Sequence, residues 1–153
     1  MSVIASPAQA PANNPELTVK AISGQTTRLG TQEFAKLTQI RVQAVGHDGK
    51  THEYEGVNLR DVLAQAGAPT GDALHGKEMV DYVLAEASDG YRVLFSVAEL
   101  DPEFGDRQVL VADKMDGKPL PPQDGPLRLV VLGDKRQARW VRMLQTLTAG
   151  RLP

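Results

Sequence analysis

Four Asp-Gly pairs, at 48–49, 89–90, 116–117 and 124–125, cut this chain into short segments, most of which alternate apolar and polar residues. Asp-Gly supplies the positive φ that tight hairpin turns require. Alternation with period two turns one side of a strand to a core and the other to water. The segments between the pairs do not repeat, so the pattern is not that of a solenoid. It predicts an α+β fold: β-rich mixed sheets with a few short helices.

The elements follow in order. Residues 17–23 (LTVKAIS) read as a strand, and 31–37 as a short helix with Thr31 as N-cap. Residues 40–45 alternate again, His47-Asp48-Gly49-Lys50 turns, and 51–54 returns as a second strand. The clearest helix runs over 58–67, with Asn58 as N-cap. There Leu59, Val62, Leu63 and Ala66 fall at i, i+3, i+4 and i+7, and Gly67 closes it before Pro69. Residues 81–87 and 91–95 flank Asp89-Gly90 as a hairpin, and 96–100 suits one capped helical turn. Residues 108–113 form a strand, and 127–132 (LRLVVL) a strongly apolar one. Residues 140–147 are apolar and suit either a last strand or a short helix.

A chain of 153 residues suits one domain, expected here over 16–150. Residues 1–15 carry no charged side chain and are rich in Ala, Pro, Asn and Ser, which predicts a disordered tail. Ala8-Gln9-Ala10 resembles the small-residue site that ends a secretory signal, although the basic n-region is missing. Two expectations follow: a trimmed export signal on a periplasmic or secreted protein, or a plain terminus on a cytoplasmic one. Seventeen basic against nineteen acidic residues leave a formal charge of −2, which argues against a nucleic-acid partner held by phosphate contacts. No apolar run approaches the roughly 20 residues of a membrane helix.

The chain contains no cysteine, which removes thiolate catalysis, thiolate-held metals and disulfides. It also lacks a G-x-S-x-G elbow, a Walker loop and a G-x-G-x-x-G turn. His47 and His52 flank the first hairpin turn, so His47 is a candidate metal ligand, with His52 and Asp48 or Glu53 nearby. The other reading leaves both histidines solvated on a hairpin. The densest polar cluster is C-terminal: Arg128, then Gly133-Asp134-Lys135-Arg136, then Arg139 and Arg142. Arg128 stands in a strand otherwise built for a core, so its guanidinium is either paired with a carboxylate or aimed at an anion. The expected partner is a small anionic ligand or another protein.

The order of the segments resembles the molybdopterin-binding domain of the sulfite oxidase family. Glu55-Gly56-Val57-Asn58-Leu59-Arg60-Asp61-Val62-Leu63, with Ala66-Gly67, is similar to its G-V-x-L-x-D-L-L…A-G stretch. Asp89-Gly90-Tyr91 with Ser96 resembles its Gly-Tyr strand and short helix. Val109-Leu110-Val111-Ala112 through Asp116-Gly117-Lys118-Pro119-Leu120-Pro121 resembles L-L-A…N-G-x-P-L-P. Gly125-Pro126-Leu127-Arg128-Leu129-Val130-Val131-Leu132-Gly133 resembles G-x-P-L-R-L-V-V-P-G, and Arg139-Trp140-Val141 the K-W-hydrophobic that follows. The resemblance implies that Arg128, Gly133, Lys135 and Arg139 bind the pterin phosphate. It also exposes departures. The family's molybdenum-ligating cysteine falls at Ala44 or Val45, and the motif upstream of it that helps clamp the pterin has no counterpart here.

Three readings of function follow. The chain is a cofactor-free member of the fold, serving as a binding or interaction domain rather than an active enzyme. Or it is a molybdopterin-dependent oxidoreductase that binds the pterin through Arg128 and the 133–139 loop, with a non-cysteine metal environment. Or its pocket binds another small anion.

Overall fold

The computed structural model describes residues 16–153, and the expected tail over 1–15 lies outside the described residues. The first alternating segment forms β1 (Leu17–Lys20), which buries Leu17 and Val19. It is shorter than the pattern suggests, because Gly24 at φ +94° turns the chain back into β2 (Thr26–Leu29). That strand escaped the sequence pattern because it lies at a sheet edge and buries only Leu29. In α1 (Thr31–Ala35), Thr31 is the first helical residue and not the N-cap. Gly30 holds the cap position, its N–H donating to Glu33 Oε1 at 2.9 Å. The helix seats Phe34 in the core.

Next come β3 (Ile40–Val45) and β4 (Thr51–Asn58), joined through the turn at Asp48-Gly49, where Gly49 takes φ +79°. β4 runs straight into α2 (Leu59–Gln65), whose Leu59, Val62 and Leu63 are buried as their spacing predicts. Asn58 occupies the cap position without a side-chain capping bond, and Gly67 at φ +91° lets Ala68 N–H reach back to the Leu63 carbonyl at 2.9 Å. Two short 3-10 segments, Gly71–Ala73 and Gly76–Val80, lead to the hairpin of β5 (Asp81–Ala87) and β6 (Arg92–Ser96). Ser96 then starts α3 (Val97–Leu100) with a reciprocal capping box: Glu99 N–H donates to Ser96 Oγ, and Ser96 N–H to Glu99 Oε1.

β7 (Val109–Met115) turns at Asp116-Gly117, both at positive φ, into the two-residue β8 (Lys118–Pro119). The strongly apolar stretch becomes β9 (Arg128–Val131), and the chain ends in β10 (Leu144–Arg151). The segment at 140–147 is therefore divided. Residues 140–143 cross from one sheet to the other, Met143 takes φ +52°, and the strand begins at Leu144.

Among the described residues two five-stranded sheets result. One has the order β2-β1-β10-β5-β6, with β1 and β10 parallel and every other pair antiparallel. The other runs β3-β4-β7-β8, with β9 also paired to β7. Leu17, Val83 and Leu147 of the first sheet and Val57, Leu110 and Leu129 of the second belong to one hydrophobic cluster, joined by α2. This is the expected α+β architecture of mixed sheets and short helices.

Gly56 marks the tightest approach between strands. The β4–β7 register slips between Glu55 and Gly56, and a Cβ at Gly56 would overlap the Val111 carbonyl oxygen and come within 2.7 Å of Ala112 Cα. Backbone cannot yield as a flexible side chain can. Gly56→Ala is expected to destabilise the fold by about 2 kcal/mol or more in urea unfolding, while the same change at Gly49, with open space around its Cα, is opposed by its φ alone.

Candidate functional site

Three turns and one crossing segment meet at one end of the second sheet: 46–50 between β3 and β4, 115–117 between β7 and β8, 120–126 before β9, and 140–143 before β10. They surround a cleft of about 300 Å3 lined by Gly46, His47, Tyr54, Asp124, Arg128 and Arg142, among others. A second cleft of about 270 Å3 adjoins it and shares His47 and Arg142, adding Tyr91, Gln137 and Trp140.

Arg128 is 2% exposed, as its place in an apolar strand requires. Its NH1 lies 3.6 Å from Asp124 Oδ2, and its NH2 donates to the Trp140 carbonyl at 3.3 Å. Its guanidinium stacks over the Trp140 ring, 5.4 Å from the centroid. Its buried Nε has no hydrogen-bond partner among the described residues. Burial lowers the Arg128 pKa and Asp124 opposes the shift, yet a guanidinium stays charged in proteins. Both alternatives for this residue are thus half realised: it has a carboxylate neighbour, but not a full set of acceptors.

Asp124 also lies 3.9 Å from Arg142 NH1, so one carboxylate stands between two guanidiniums. Trp140 is held by Nε1–H donation to the Val131 carbonyl at 3.1 Å. Tyr54 and His47 meet its ring edge to face, with centroids 5.8 and 6.2 Å away. Gly46 lies close against the neighbouring wall, where a Cβ would stand 2.9 Å from Tyr54 Oη and 3.1 Å from His52 Cδ2. His47 is exposed at the mouth, where desolvation, then Arg128 and Arg142, hold its pKa below the ordinary 6.5.

His52 is differently placed. Its Nε2 bonds Asp48 Oδ2 at 2.8 Å and its Nδ1 bonds Asp116 Oδ2 at 2.6 Å. These carboxylates raise its pKa, Asp116 contributing most. Asp116 also accepts from Glu53 N–H, and Asp48 from Lys50 N–H, which ties the β3–β4 turn to the β7–β8 turn. The expected trio of His47, His52 and Asp48 or Glu53 around a metal is not assembled. Both ring nitrogens of His52 are engaged, His47 turns to Trp140, and among the described residues no three His, Cys, Asp or Glu side chains form a ligand group.

Of the four residues the resemblance assigned to phosphate, the structure brings Arg128 alone to the cleft. Gly133 takes φ +96° beside the Arg107 guanidinium, and Lys135 is exposed on the loop. Arg139 forms a two-point pair with Asp134, Nε to Oδ2 at 2.9 Å and NH2 to Oδ1 at 3.0 Å. It also meets Glu99 at 3.3 Å and lies over the Phe95 ring. Arg107 donates to the same Asp134 at 2.7 Å. The loop closes on one carboxylate, and the second cation of the cleft is Arg142, whose place beside Arg128 no local pattern announces. Ala44 and Val45, where the resemblance puts a metal-binding cysteine, end β3 just before Gly46 at the rim.

The family model for the oxidoreductase molybdopterin-binding domain matches residues 16–151. No curated protein matches the chain. Among solved structures it is similar to the sulfane dehydrogenase SoxCD from Paracoccus pantotrophus, with a TM-score of 0.70 and 17% identity over 93% of this chain. The match spans 39% of that chain's length, and the likeness is one of fold.

The His52 clamp makes stability depend on pH. Its raised pKa means that the His52 contribution is full below the unfolded value near 6.5 and lost as pH rises through the higher folded value. Asp48 and Asp116 are held below 3.8, so their contribution is lost as pH falls through those lowered values. His47, whose pKa is lowered, acts in the opposite sense below 6.5. In Tm measured against pH, the stability difference between wild type and His52→Gln is therefore expected to be largest between about pH 4 and 6.5 and to shrink at higher pH. A difference that is constant from pH 5 to 9 would contradict a charged clamp.

Proposed function

The chain belongs to the family of oxidoreductase molybdopterin-binding domains, and we propose that within it this protein is a binding domain that keeps the scaffold and an anion cleft without thiolate-held molybdenum. The observation that carries this reading is Arg128: a guanidinium 2% exposed, lining a cleft, with an unpartnered Nε and a carboxylate no closer than 3.6 Å. A buried cation so incompletely matched is costly to the fold unless a further anion completes it. Arg142 supplies a second cation beside it, and neutral His47 and Gln123 supply polar groups without further charge.

The family's cofactor fits this site in one part and fails in another. Arg128 and Arg142 supply cations for its anionic end, although Asp124 between them opposes a second negative charge there. The metal it carries draws its redox chemistry from a site with a soft thiolate ligand. The chain has no cysteine, and Ala44 and Val45 offer no donor. His47 faces two guanidiniums, surroundings that oppose a cation. These facts support a binding role over an oxidoreductase in which the pterin is bound and the metal lacks a cysteine.

Purified from a host that makes molybdopterin, the protein is expected to carry neither molybdenum nor stoichiometric pterin, read by metal analysis and by fluorescence of the oxidised pterin. At least one of acetate, dimethyl phosphate and inorganic phosphate should raise its Tm. Arg128→Met should abolish that rise while costing the unliganded fold less than about 1 kcal/mol, because an apolar side chain replaces an ill-matched buried charge. Recovery of stoichiometric pterin would overturn the reading in favour of the oxidoreductase. A large stability loss in Arg128→Met with no anion effect in wild type would reduce Arg128 to a structural ion pair.

A further inference from the structure

If the cleft takes an anion, the groups already inside it limit the charge that anion can bear. Asp124 is the decisive one. Its side chain is 16% exposed and stands between Arg128 at 3.6 Å and Arg142 at 3.9 Å. Neither distance is a hydrogen bond, so the carboxylate offsets charge without engaging the guanidinium donors, of which Arg128 NH2 is given to the Trp140 carbonyl. The Arg128 Nε–H is buried beside this group and has no hydrogen-bond partner among the described residues.

The remaining groups bring little compensation. His47 is held toward its neutral form by desolvation and by both arginines, and burial keeps the Tyr54 hydroxyl protonated. Asp48 is bound by His52 and by Lys50 N–H, and the same His52 is shared with Asp116. Two arginines against Asp124 leave one positive charge where a ligand would sit, and the Asp48–His52–Asp116 group at the rim is net negative whether or not His52 is protonated, which weighs further against a second negative charge on the ligand. A ligand bearing one negative charge balances the two arginines and Asp124. One bearing two meets Asp124 uncompensated.

We propose that Asp124 sets the ligand class of the cleft: a monoanionic oxyanion, such as a carboxylate or a phosphate diester, is taken and a dianionic phosphate monoester is refused. This inference rests on the anion reading of the cleft and adds to it the residue that fixes the charge.

Dimethyl phosphate and methyl phosphate at pH 8 differ chiefly by one charge and so isolate the effect. Titrations followed by the side-chain Nε–H resonance of Arg128, assigned by its loss in Arg128→Met, should show wild type binding dimethyl phosphate at least about tenfold more tightly. One unscreened charge a few ångströms away is worth that much or more. In Asp124→Asn, which keeps the shape of the side chain, the preference should reverse. Equal affinities in wild type, or an unchanged preference in Asp124→Asn, would overturn the role of Asp124 while leaving anion binding in place. If neither ligand moves the Arg128 resonance in either protein, the anion reading falls and this inference with it. Should the variant be too unstable to titrate, the wild-type ratio alone decides.

Discussion

Much of this structure depends on how β9 satisfies its second edge. The strand is buried along its whole length and pairs with β7 on one side only. Buried backbone groups left without partners would cost it the benefit of its apolar side chains. The segment that follows closes the gap: Leu129 N–H donates to the Val141 carbonyl, and Leu144 N–H to the Leu127 carbonyl, both at 2.8 Å. Trp140 adds its indole N–H to the Val131 carbonyl. Residues 140–144 are thereby fixed against β9 and then pass into the first sheet as β10, which pairs there with β1 and β5. One requirement, the satisfaction of a strand edge, joins the two sheets and brings Trp140 and Arg142 beside Arg128.

Arg128 gives that arrangement its electrostatic character. A guanidinium in the strand's hydrophobic surroundings needs donors matched and charge balanced. The Trp140 ring and carbonyl, and Asp124 across the cleft, do this in part. Asp134 performs the corresponding task for Arg107 and Arg139 and does it more fully, with hydrogen bonds at 2.7 to 3.0 Å. The contrast separates two arginine environments only a dozen residues apart. Closed pairing at Asp134 locks a loop, whereas pairing at Asp124 stays open, at 3.6 and 3.9 Å, beside a cleft.

Much of the fold was legible from short-range patterns. Three of the four Asp-Gly pairs sit in hairpin turns, since positive φ is a property of the dipeptide itself. The periodic residues of α2 are buried, and the capped turn expected over 96–100 forms with Ser96 as its cap. What escaped was set by position in the sheet. β2 is polar because it is an edge, and 140–147 was ambiguous because it first serves as an irregular partner to β9 and only then as a strand. The site was half legible. Arg128 stood out as a charge in an apolar run, but the neighbouring cations Lys135 and Arg139 looked as suitable as Arg142. Nothing in a basic loop's local sequence reveals that one aspartate will gather its arginines.

The sequence by itself determined the class of fold, the turns, the helix over Leu59–Gln65 and the absence of any thiolate, because each is a property of residues near one another or of composition. Only the tertiary structure decided which charges share a space. Asp124 reaches Arg128 across a turn and Arg142 across a sheet crossing, His52 bonds Asp116 from 64 residues away, and His47 is turned to Trp140 instead of to His52. Electrostatic fit is a matter of a few ångströms, and those distances come from strand pairing and edge closure, which no window of sequence contains.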